Sequence, residues 1–411
     1  MASIGSHYAP RVALERTVSA IASARRAVLA DRYATSSLAV EWRWFAELIS
    51  VVDEWRELAT HALEPNVFYE PAFALAAAAV FGGAVGAVLV WSGTQPRKLV
   101  GFFPARVTAR RYGFKLPVLV GWTHPYAPLG TPLVEPEAAE PVVAAWLAHI
   151  AADPSLPGLM LLPLMAEDGP FAATLGTILD RTQLPCADFA RHHRPLLEPQ
   201  RDRAHYVENR LSSHRQGELR RTGRRLTGLG APLFTATTEV TAIAAAIEDF
   251  FALEANGWKG KAGTAAASHD NVRGFVTTAL SGLAAEGKVT INRLFLDGRA
   301  IAAAITLRSG DTAWYWKIAY DEKFARYAPG VLLTAALTEE LAENTALART
   351  DSCAAPNSIL DYIWGEQLTL CDRLIAVRPE APFARACRLE MLRGAASAAA
   401  KSIRNRFRAQ R

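Results

Sequence analysis

The alternation of apolar and polar residues between positions 288 and 344 predicts three strands followed by a helix. Asp297-Gly298 forms a two-residue hairpin turn between the first two strands, and the third strand is rich in aromatic and branched residues. The helix has one leucine-rich face and one face of glutamates that points to water. These four elements are Lys288–Leu296, Arg299–Arg308, Thr312–Tyr320 and Val331–Asn344.

The N-terminal half has the same order of elements, because three strands precede a turn-rich segment, a helix, a strand and a second helix. The predicted elements there are Ala84–Trp91, Lys98–Val107, Lys115–Trp122, Ala138–Ala151, Gly158–Pro163 and Gly169–Leu179. The C-terminal half adds the elements Val240–Asn256, Asn271–Glu286, Arg349–Cys353, Ser358–Trp364 and Thr369–Val377. Two halves with one order predict an α/β (α+β) protein made of two copies of one unit, joined near residues 197–203. Each unit is expected to be a mixed, mainly antiparallel sheet flanked by helices.

Ala72–Trp91 contains twenty residues without a charge, which is long enough to span a bilayer. The segment consists largely of alanine and glycine, whereas Leu, Ile and Phe supply most of the free energy of membrane insertion. Gly82-Gly83 also divides it. We therefore predict a buried helix, a glycine turn and a strand.

The chain of 411 residues exceeds one ordinary core and predicts two domains. Its four cysteines show no CxxC spacing, which favours a reducing cytosol and argues against a zinc ribbon. The first forty residues contain no apolar segment with a cleavage site, so we expect a cytoplasmic protein. The nine histidines do not cluster at ligand spacing, and we predict no metal.

The net charge of +5 is concentrated at the C-terminus. Phe383–Arg411 contains eight basic residues and one glutamate, a net charge of +7, so the rest of the chain has −2. A general nucleic-acid-binding protein would have positive charge over its folded surface. We therefore do not expect a nucleic acid as a general partner.

Four sequence runs, taken in order, resemble one family. They are NVFYEPAFALAAAAVFGG (Asn66–Gly83), FFALEANGWKGKAGTA (Phe250–Ala265), KIAYDEKFARYAPGVLL (Lys317–Leu333) and LDYIWG (Leu360–Gly365). Over residues 41–379 the chain resembles the GNAT acyltransferase superfamily, closest to the CelD-like, cellulose-biosynthesis-type acetyltransferases. The related FemABX peptidyltransferases are similar in having two fused GNAT-like units.

The resemblance implies four regions along the chain. They are an N-terminal extension (1–40), a degenerate GNAT-like domain (41–197), a GNAT-like acyl-donor-binding domain (204–380) and a basic C-terminal tail (381–411). The loop at residues 128–132 lacks a nearby cation, so we expect the first GNAT-like domain to shape the acceptor groove.

The resemblance also implies acetyl-CoA or a longer acyl-CoA as co-substrate, with its pyrophosphate at the start of the helix after the third strand. The usual GNAT signature there is R/Q-x-x-G-x-G/A, whereas residues 326–331 read RYAPGV, with proline replacing the first glycine and valine the last small residue. Free N–H groups of a first helical turn bind phosphate, and a glycine leaves room for it. The predicted cofactor-binding residues are Arg326, Pro329, Gly330, Val331 and Leu332.

Amide formation needs a base for the amine, an acid for the leaving group and a donor for the oxyanion. In GNAT enzymes these are usually a carboxylate, a tyrosine and a strand N–H. The candidates here are Asp361, then Glu254, as base and Tyr320 or Tyr362 as acid. Lys317 is either a substrate or phosphate contact or half of a structural ion pair. Strict alternation would place Trp314, Trp316, Ile318 and Tyr320 on one face of the third strand, and Tyr315, Lys317, Ala319 and Asp321 on the other.

Further substrate contacts are expected from a glycine-containing loop after residue 256 and from the borders of the cleft. The alternatives are solvated lysines at a helix end and an aspartate that only caps its loop. The predicted substrate-binding residues are Trp258, Lys259, Lys261, Trp316, Asp321 and Trp364.

Two segments have a high density of cations. Eight arginines lie between Arg201 and Arg225, on a helix that is either a solvated face or a site for a phosphate-rich partner. The tail Phe383–Arg411 is either a surface helix on anionic lipid or a disordered basic end.

The sequence therefore predicts a cytoplasmic GNAT-type N-acyltransferase, with peripheral contact to the inner face of an anionic membrane. It would move an acyl group from acyl-CoA to an amine of an envelope, polysaccharide or lipid precursor. The alternatives are a FemABX-like transferase that uses aminoacyl-tRNA, the one case with a nucleic-acid partner, and an inactive GNAT scaffold in polysaccharide biosynthesis.

Overall fold

A computed structural model describes residues 38–93, 97–199, 205–354 and 358–409. The predicted N-terminal extension lies almost entirely outside these ranges, and the predicted linker near 197–203 lies partly outside them. The strands are β1 Leu38–Trp44, β2 Val85–Ser92, β3 Leu99–Arg111, β4 Phe114–Gly121, β5 Leu133–Val134, β6 Leu159–Ala166, β7 Cys186–Leu197, β8 Pro232–Thr237, β9 Val289–Leu296, β10 Arg299–Ser309, β11 Thr312–Tyr320, β12 Arg349–Asp351 and β13 Glu366–Ala376. The α-helices are α1 Val52–His61, α2 Pro71–Phe81, α3 Ala139–Ala152, α4 Pro170–Thr182, α5 Tyr206–Arg210, α6 Ser213–Thr227, α7 Val240–Asn256, α8 Trp258–Lys261, α9 Asp270–Ala285, α10 Pro329–Glu343, α11 Leu360–Ile363 and α12 Phe383–Ala409.

All strands join one mixed sheet with the order β1-β2-β3-β4-β6-β13-β7-β12-β11-β10-β9-β8, and β5 pairs with β3. Each half has four antiparallel strands and a fifth that is parallel to the fourth, β6 beside β4 and β12 beside β11. The sixth strand of each half comes from the other half of the sequence, since β13 pairs with β6 and β7 pairs with β12. β7 and β13 also pair with each other, so hydrogen bonds connect the two halves of the sheet.

Helices cover both faces of the sheet. On the front face, which we define as the one that contains Trp314 and Trp316, α1, α2, α7 and α9 form one apolar core that extends across both halves. On the back face α3 and α4 cover the N-terminal half, and α5, α6, α10 and α11 cover the C-terminal half. The first part of α12 packs on the front face over β4, β6 and β13.

The sequence predicted the fold class and most element positions correctly. The structure confirms the helix, turn and strand in Ala72–Trp91, as α2, Gly82-Gly83 and β2. Among the described residues, no helix has the length and apolar character that crossing a membrane requires. The helix after β11 begins at Pro329 rather than at Val331, because proline fits the first helical position, where its missing N–H removes no helical hydrogen bond.

The sequence did not predict β1, β7 and β8. The first two-thirds of β7 alternates between exposed and half-buried positions, and the strand contains arginine and histidine, so its apolar pattern is weak. Its position between β13 and β12 depends on pairing with strands far away in sequence.

Candidate active site

The candidate active site lies where β11 and β12 separate. These parallel strands pair from Thr312–Arg349 to Trp314–Asp351, after which β11 continues alone to Tyr320 on this side. At the point of separation the buried Arg194 of β7 forms an ion pair with Asp351 and donates to the carbonyl of Pro128 at 2.8 Å. The strand edge beyond Trp314 therefore faces a cavity instead of a neighbouring strand.

This cavity has a volume of about 610 Å³ and is lined from both faces of the sheet. The start of α10 lines it on the back face, and the end of α7 together with loop residues from the N-terminal half lines it on the front face. The cavity therefore passes through the gap in the sheet. The lining residues are Pro125, Pro128, Leu253, Glu254, Gly257, Tyr315–Tyr320, Glu322, Ala325, Ala328, Gly330, Val331, Thr334, Ser352–Ala354 and Ser358–Leu360.

A β-bulge in β11 changes which side chains face each side. The pairing with β10 shifts between Ile305–Lys317 and Thr306–Tyr315, so Trp316 is the extra residue. The prediction of strict alternation was therefore wrong beyond Trp316: Ala319 lies with Trp316 in the front core, whereas Ile318 and Tyr320 pack with the back core. Sequence periodicity cannot reveal a bulge, because it depends on the partner strand.

The start of α10 is suited to hold an anion. Its N-cap residue, Ala328, has φ of 43°, provides no side-chain acceptor, and is followed by no acidic residue in the first turn. Pro329 has no N–H, which leaves the amides of Gly330 and Val331 as the first donors that face the cavity. A Cβ on Gly330 would lie 3.2 Å from Cδ1 of Tyr320, so glycine lets the helix approach β11 closely.

On the front face Glu254, near the end of α7, is a buried carboxylate that lines the cavity. It is only 3% exposed, and its Oε2 accepts from the backbone N–H of Ala266 at 2.8 Å. Burial, and secondarily the charge of Glu254, raises the pKa of Tyr126 to about 12. Lys317 lies with Nζ 4.1 Å from the centre of the Tyr126 ring, so a carboxylate and a cation of the cavity wall are both close to this phenol, which lies behind the wall.

Cys353 also lines the cavity, although no pattern in the sequence pointed to it. Its backbone has φ of 49°, a conformation that non-glycine residues rarely adopt, and its N–H donates to Asp351 at 2.9 Å. Burial, with the nearby charge of Asp351, raises the pKa of the thiol well above its usual value. Cys353 is therefore a neutral thiol in this cavity.

Of the predicted catalytic residues, Glu254, Lys317 and Tyr320 line the cavity, whereas Asp361 does not. Asp361 is exposed on α11, although its neighbours Ile359 and Leu360 reach the cavity wall. Of the predicted cofactor-binding residues, Gly330 and Val331 line the cavity. Pro329 is buried, Leu332 lies beside α6, and Arg326 is exposed with its guanidinium 4.8 Å from the Tyr327 ring centre.

The predicted substrate-binding residues differ in where the structure places them. Trp316 lines the cavity, and its indole N–H donates to the carbonyl of Tyr126 at 2.9 Å. Asp321 caps the turn after β11 and pairs with Arg299 at 2.6 Å, whereas Trp364 is buried and donates to Thr338 at 3.0 Å. Lys261 is exposed and pairs with Glu322. The side chains of Trp258 and Lys259 lie outside what the structure describes.

The arginine-rich helix α6 lies beside the back-face opening. Cζ of Arg215 is 3.6 Å from the ring centre of Tyr362 on α11, and Cζ of Arg225 is 5.5 Å from that of Tyr327, which precedes α10. Gly223 lies beside Leu332 of α10, since a Cβ there would be in ordinary van der Waals contact with a leucine methyl at 3.9 Å. Helix α6 therefore contacts both sides of the opening, α11 through Tyr362 and the start of α10 through Tyr327. Across the described residues, no group of three or more His, Cys, Asp or Glu is placed to hold a metal ion.

Comparison with known proteins supports a GNAT assignment for the C-terminal half. Residues 212–357 match the model of an acetyltransferase (GNAT) domain. These residues contain the gap between β11 and β12 and the start of α10. No curated protein sequence matches the chain.

Two solved structures are similar in fold over most of the chain. The crystal structure of FemX is similar with a TM-score of 0.54 and 9% identity, covering 80% of this chain and 96% of that one. The C-terminal domain (DUF2156) of a protein named "Putative Lysylphosphatidylglycerol Synthetase" from Agrobacterium fabrum is similar with a TM-score of 0.50 and 10% identity, covering 80% and 92%. At such identities the likeness concerns the fold. Residues 212–357 therefore match an acetyltransferase (GNAT) domain, and the fold of the chain is similar to that of FemX, whereas the resemblance to the CelD-like branch stays a prediction.

Proposed function

We propose that the protein is an acyl-CoA-dependent N-acyltransferase that acts on an amine of an envelope, polysaccharide or lipid precursor. The observation that supports this most directly is the cavity through the sheet between β11 and β12. It has an uncapped helix N-terminus on the back face and a buried carboxylate, Glu254, on the front face. A donor and an acceptor can thus enter from opposite sides and meet at the strand edge. The GNAT domain match covers these residues.

The donor would lie on the back face. Its pyrophosphate would accept hydrogen bonds from the amides of Gly330 and Val331, where the partial positive charge of the helix end favours an anion. The thioester would follow the edge of β11 from Tyr315 onward. Backbone N–H groups on this edge point into the gap and would stabilise the oxyanion, because strand pairing with β12 ends at Trp314.

The acceptor amine would enter from the front face, beside Glu254. Its nitrogen attacks the thioester carbon, forming the C–N bond, and the proton that it loses moves to the carboxylate of Glu254. The C–S bond then breaks, and the hydroxyl of Tyr320 protonates the departing thiolate. Lys317, within the same cavity, would orient an anionic group of the acceptor. Glu254 replaces Asp361 as our first choice of base, since the exposed Asp361 does not line the cavity.

The N-terminal half would shape the acceptor groove. Pro125 and Pro128 from its turn-rich loop form part of the front wall, and the carbonyl of Pro128 accepts from Arg194. The similar Agrobacterium fabrum protein is named for a lysyl-lipid product. A lipid or envelope acceptor is consistent with the basic helix α12, which we propose contacts the anionic inner face of a membrane, and hence with a cytoplasmic location.

A second candidate is a transferase that takes its donor from aminoacyl-tRNA. Helix α6, with five arginines and one glutamate, lies at the donor-side opening, and the fold is similar to FemX. An inactive scaffold is the third candidate, because Pro329 removes one amide from the expected phosphate site.

Calorimetric titration of acetyl-CoA, and then of a long-chain acyl-CoA, tests the proposal. We expect micromolar binding with one donor per chain. If neither ligand binds, acyl-CoA dependence is contradicted. Aminoacyl transfer from charged tRNA would then favour the second candidate. If that transfer is also absent, the inactive scaffold is favoured.

A further inference from the structure

Helix α6 places an unneutralised group of arginines directly beside the proposed phosphate site. Arg221, Arg224 and Arg225 are exposed and share one side of the helix at spacings of three and four residues. Arg225 and Arg326 both lie over the ring of Tyr327, with Cζ 5.5 and 4.8 Å from its centre. Tyr327 is followed by Ala328, the N-cap residue of α10.

These cations have no ion-pair partner within the part of the chain that the structure describes, in contrast to Arg220 on the same helix. Arg220 pairs with Glu208 at 2.8 Å. A guanidinium that stacks on an aromatic ring keeps its N–H edge available for a second ligand. The stacked Arg225 and Arg326 are therefore pre-oriented donors, and they need not give up an internal salt bridge to bind an anion.

We infer that Arg224 and Arg225, assisted by Arg326, form a second anion subsite that takes a phosphate monoester on the donor. The inference rests on the proposed function and extends it. In acyl-CoA this group is the 3′-phosphate of the nucleotide, which is separate from the pyrophosphate on α10. A monoester carries close to two negative charges at neutral pH and three acceptor oxygens, which suits paired guanidinium groups.

The position of the arginines favours a compact phosphate ligand over a nucleic-acid strand. Arg225 and Arg326 meet over the ring of Tyr327, while the inward side of α6 packs through Leu219, Gly223 and Leu226. A nucleic acid would need a longer basic track along its backbone. The subsite would also offset the loss of an amide at Pro329, because it supplies donors from side chains instead.

The test compares acetyl-CoA with acetyl-3′-dephospho-CoA by calorimetry. The variant is Arg224→Gln/Arg225→Gln. The control is Arg385→Gln/Arg388→Gln, which removes the same charge from exposed positions on the distant helix α12. We expect wild type and the control to bind acetyl-CoA about tenfold more tightly than the dephospho form. In the α6 variant this preference should disappear through weaker binding of acetyl-CoA alone.

Other results would overturn the subsite in distinguishable ways. If wild type binds both nucleotides equally, the donor site stands and the phosphate subsite is wrong. If the α6 variant weakens both nucleotides equally, the arginines act on the pyrophosphate or on the fold. If the preference survives but the variant loses binding to total tRNA, α6 is an RNA surface. If wild type binds neither nucleotide, the proposed function fails together with the subsite.

Discussion

The two halves of the sheet share one strand order but differ where the fourth and fifth strands separate. In the N-terminal half the chain itself fills this gap. A Cβ on Gly130 would lie 2.0 Å from the carbonyl oxygen of Pro163, and the amide of Gly130 donates to Leu164 at 3.0 Å. In the C-terminal half the same place holds the cavity of about 610 Å³.

The helices that follow the two gaps differ as well. Before α3 the chain contains Glu135 and Glu137, and Glu140 lies in the first turn, so the protein's own carboxylates occupy the positive end of the helix. The first turn of α10 has no acidic residue, whereas neither helix has a side chain that caps its first turn. Two halves with the same strand order can therefore differ in role. The C-terminal half contains most of the cavity, and the N-terminal half contributes part of its wall.

The largest expected effect comes from closing the anion site at α10. Gly330→Glu places a carboxylate where the N-terminal half has its own, and we expect acetyl-CoA binding to fall by more than about 100-fold, since the added charge repels the pyrophosphate. The melting temperature should stay within a few degrees of wild type. Calorimetry and thermal unfolding measure both quantities.

Ala336→Glu is the control for that change, because it adds the same charge at an exposed position of the same helix. It should bind acetyl-CoA like wild type. Equal binding by Gly330→Glu would contradict the assignment of the donor site.

The next effect concerns Glu254, the proposed base in the half that contains the cavity. Glu254→Gln keeps an acceptor for the Ala266 amide, yet we expect turnover to fall about 100-fold, with the affinity for acyl-CoA unchanged. Asp361→Asn, at an exposed position, should retain wild-type turnover. Steady-state kinetics and a pH–rate profile compare the two, and the reverse pattern would restore Asp361 as the base.

A smaller effect tests whether the loop of the N-terminal half that contains His124 is packed tightly enough to exclude solvent. His124 is 9% exposed, stacks on Phe81 with ring centres 4.4 Å apart, and burial lowers its pKa from 6.5 to about 3. Between these two pKa values the His124 imidazole binds a proton more readily in the unfolded chain than in the folded one. The contribution of His124 to the free energy of unfolding is therefore highest above pH 6.5 and falls as the pH decreases. We expect this group to account for a loss of about 2 kcal/mol between pH 7 and pH 4.5.

His124→Phe should remove that part of the acid sensitivity, as measured by urea unfolding across this range. His214→Phe, at an exposed position of α6, should leave the pH dependence unchanged. An unaltered pH dependence in His124→Phe would mean that the loop opens to solvent.

The smallest effect on stability is expected from shortening α12. Glu390 is buried and accepts from Arg111 at 2.9 Å and from Tyr112 at 2.8 Å, so the first part of the helix belongs to the folded body. Deleting residues 394–411 keeps these contacts. We expect the same melting temperature but loss of binding to liposomes that contain anionic lipid. Binding that persists in a co-sedimentation assay would remove the membrane role of the tail.

Much of the site could be predicted from the sequence because its parts are local. A proline and a glycine at the start of a helix that follows a strand, with Arg326 just before them, led to the prediction of an anion site at Gly330. The same reasoning selected Glu254, Lys317 and Tyr320, which the structure brings to one cavity. It also selected Asp361, which is exposed at the surface of the fold. The residues near Asp361 in sequence do not determine its exposure, because exposure depends on which distant elements pack over it.

The sequence by itself determined the repeated order of strands and helices, because alternating and helical periodicities depend on neighbours a few residues apart. Only the tertiary structure decided three features: the bulge at Trp316, the exchange of β7 and β13 between the halves, and the open gap beside β12. Each depends on which distant strand supplies the hydrogen bonds. That choice is made by packing across the whole sheet, and it determines which half of the protein has a cavity.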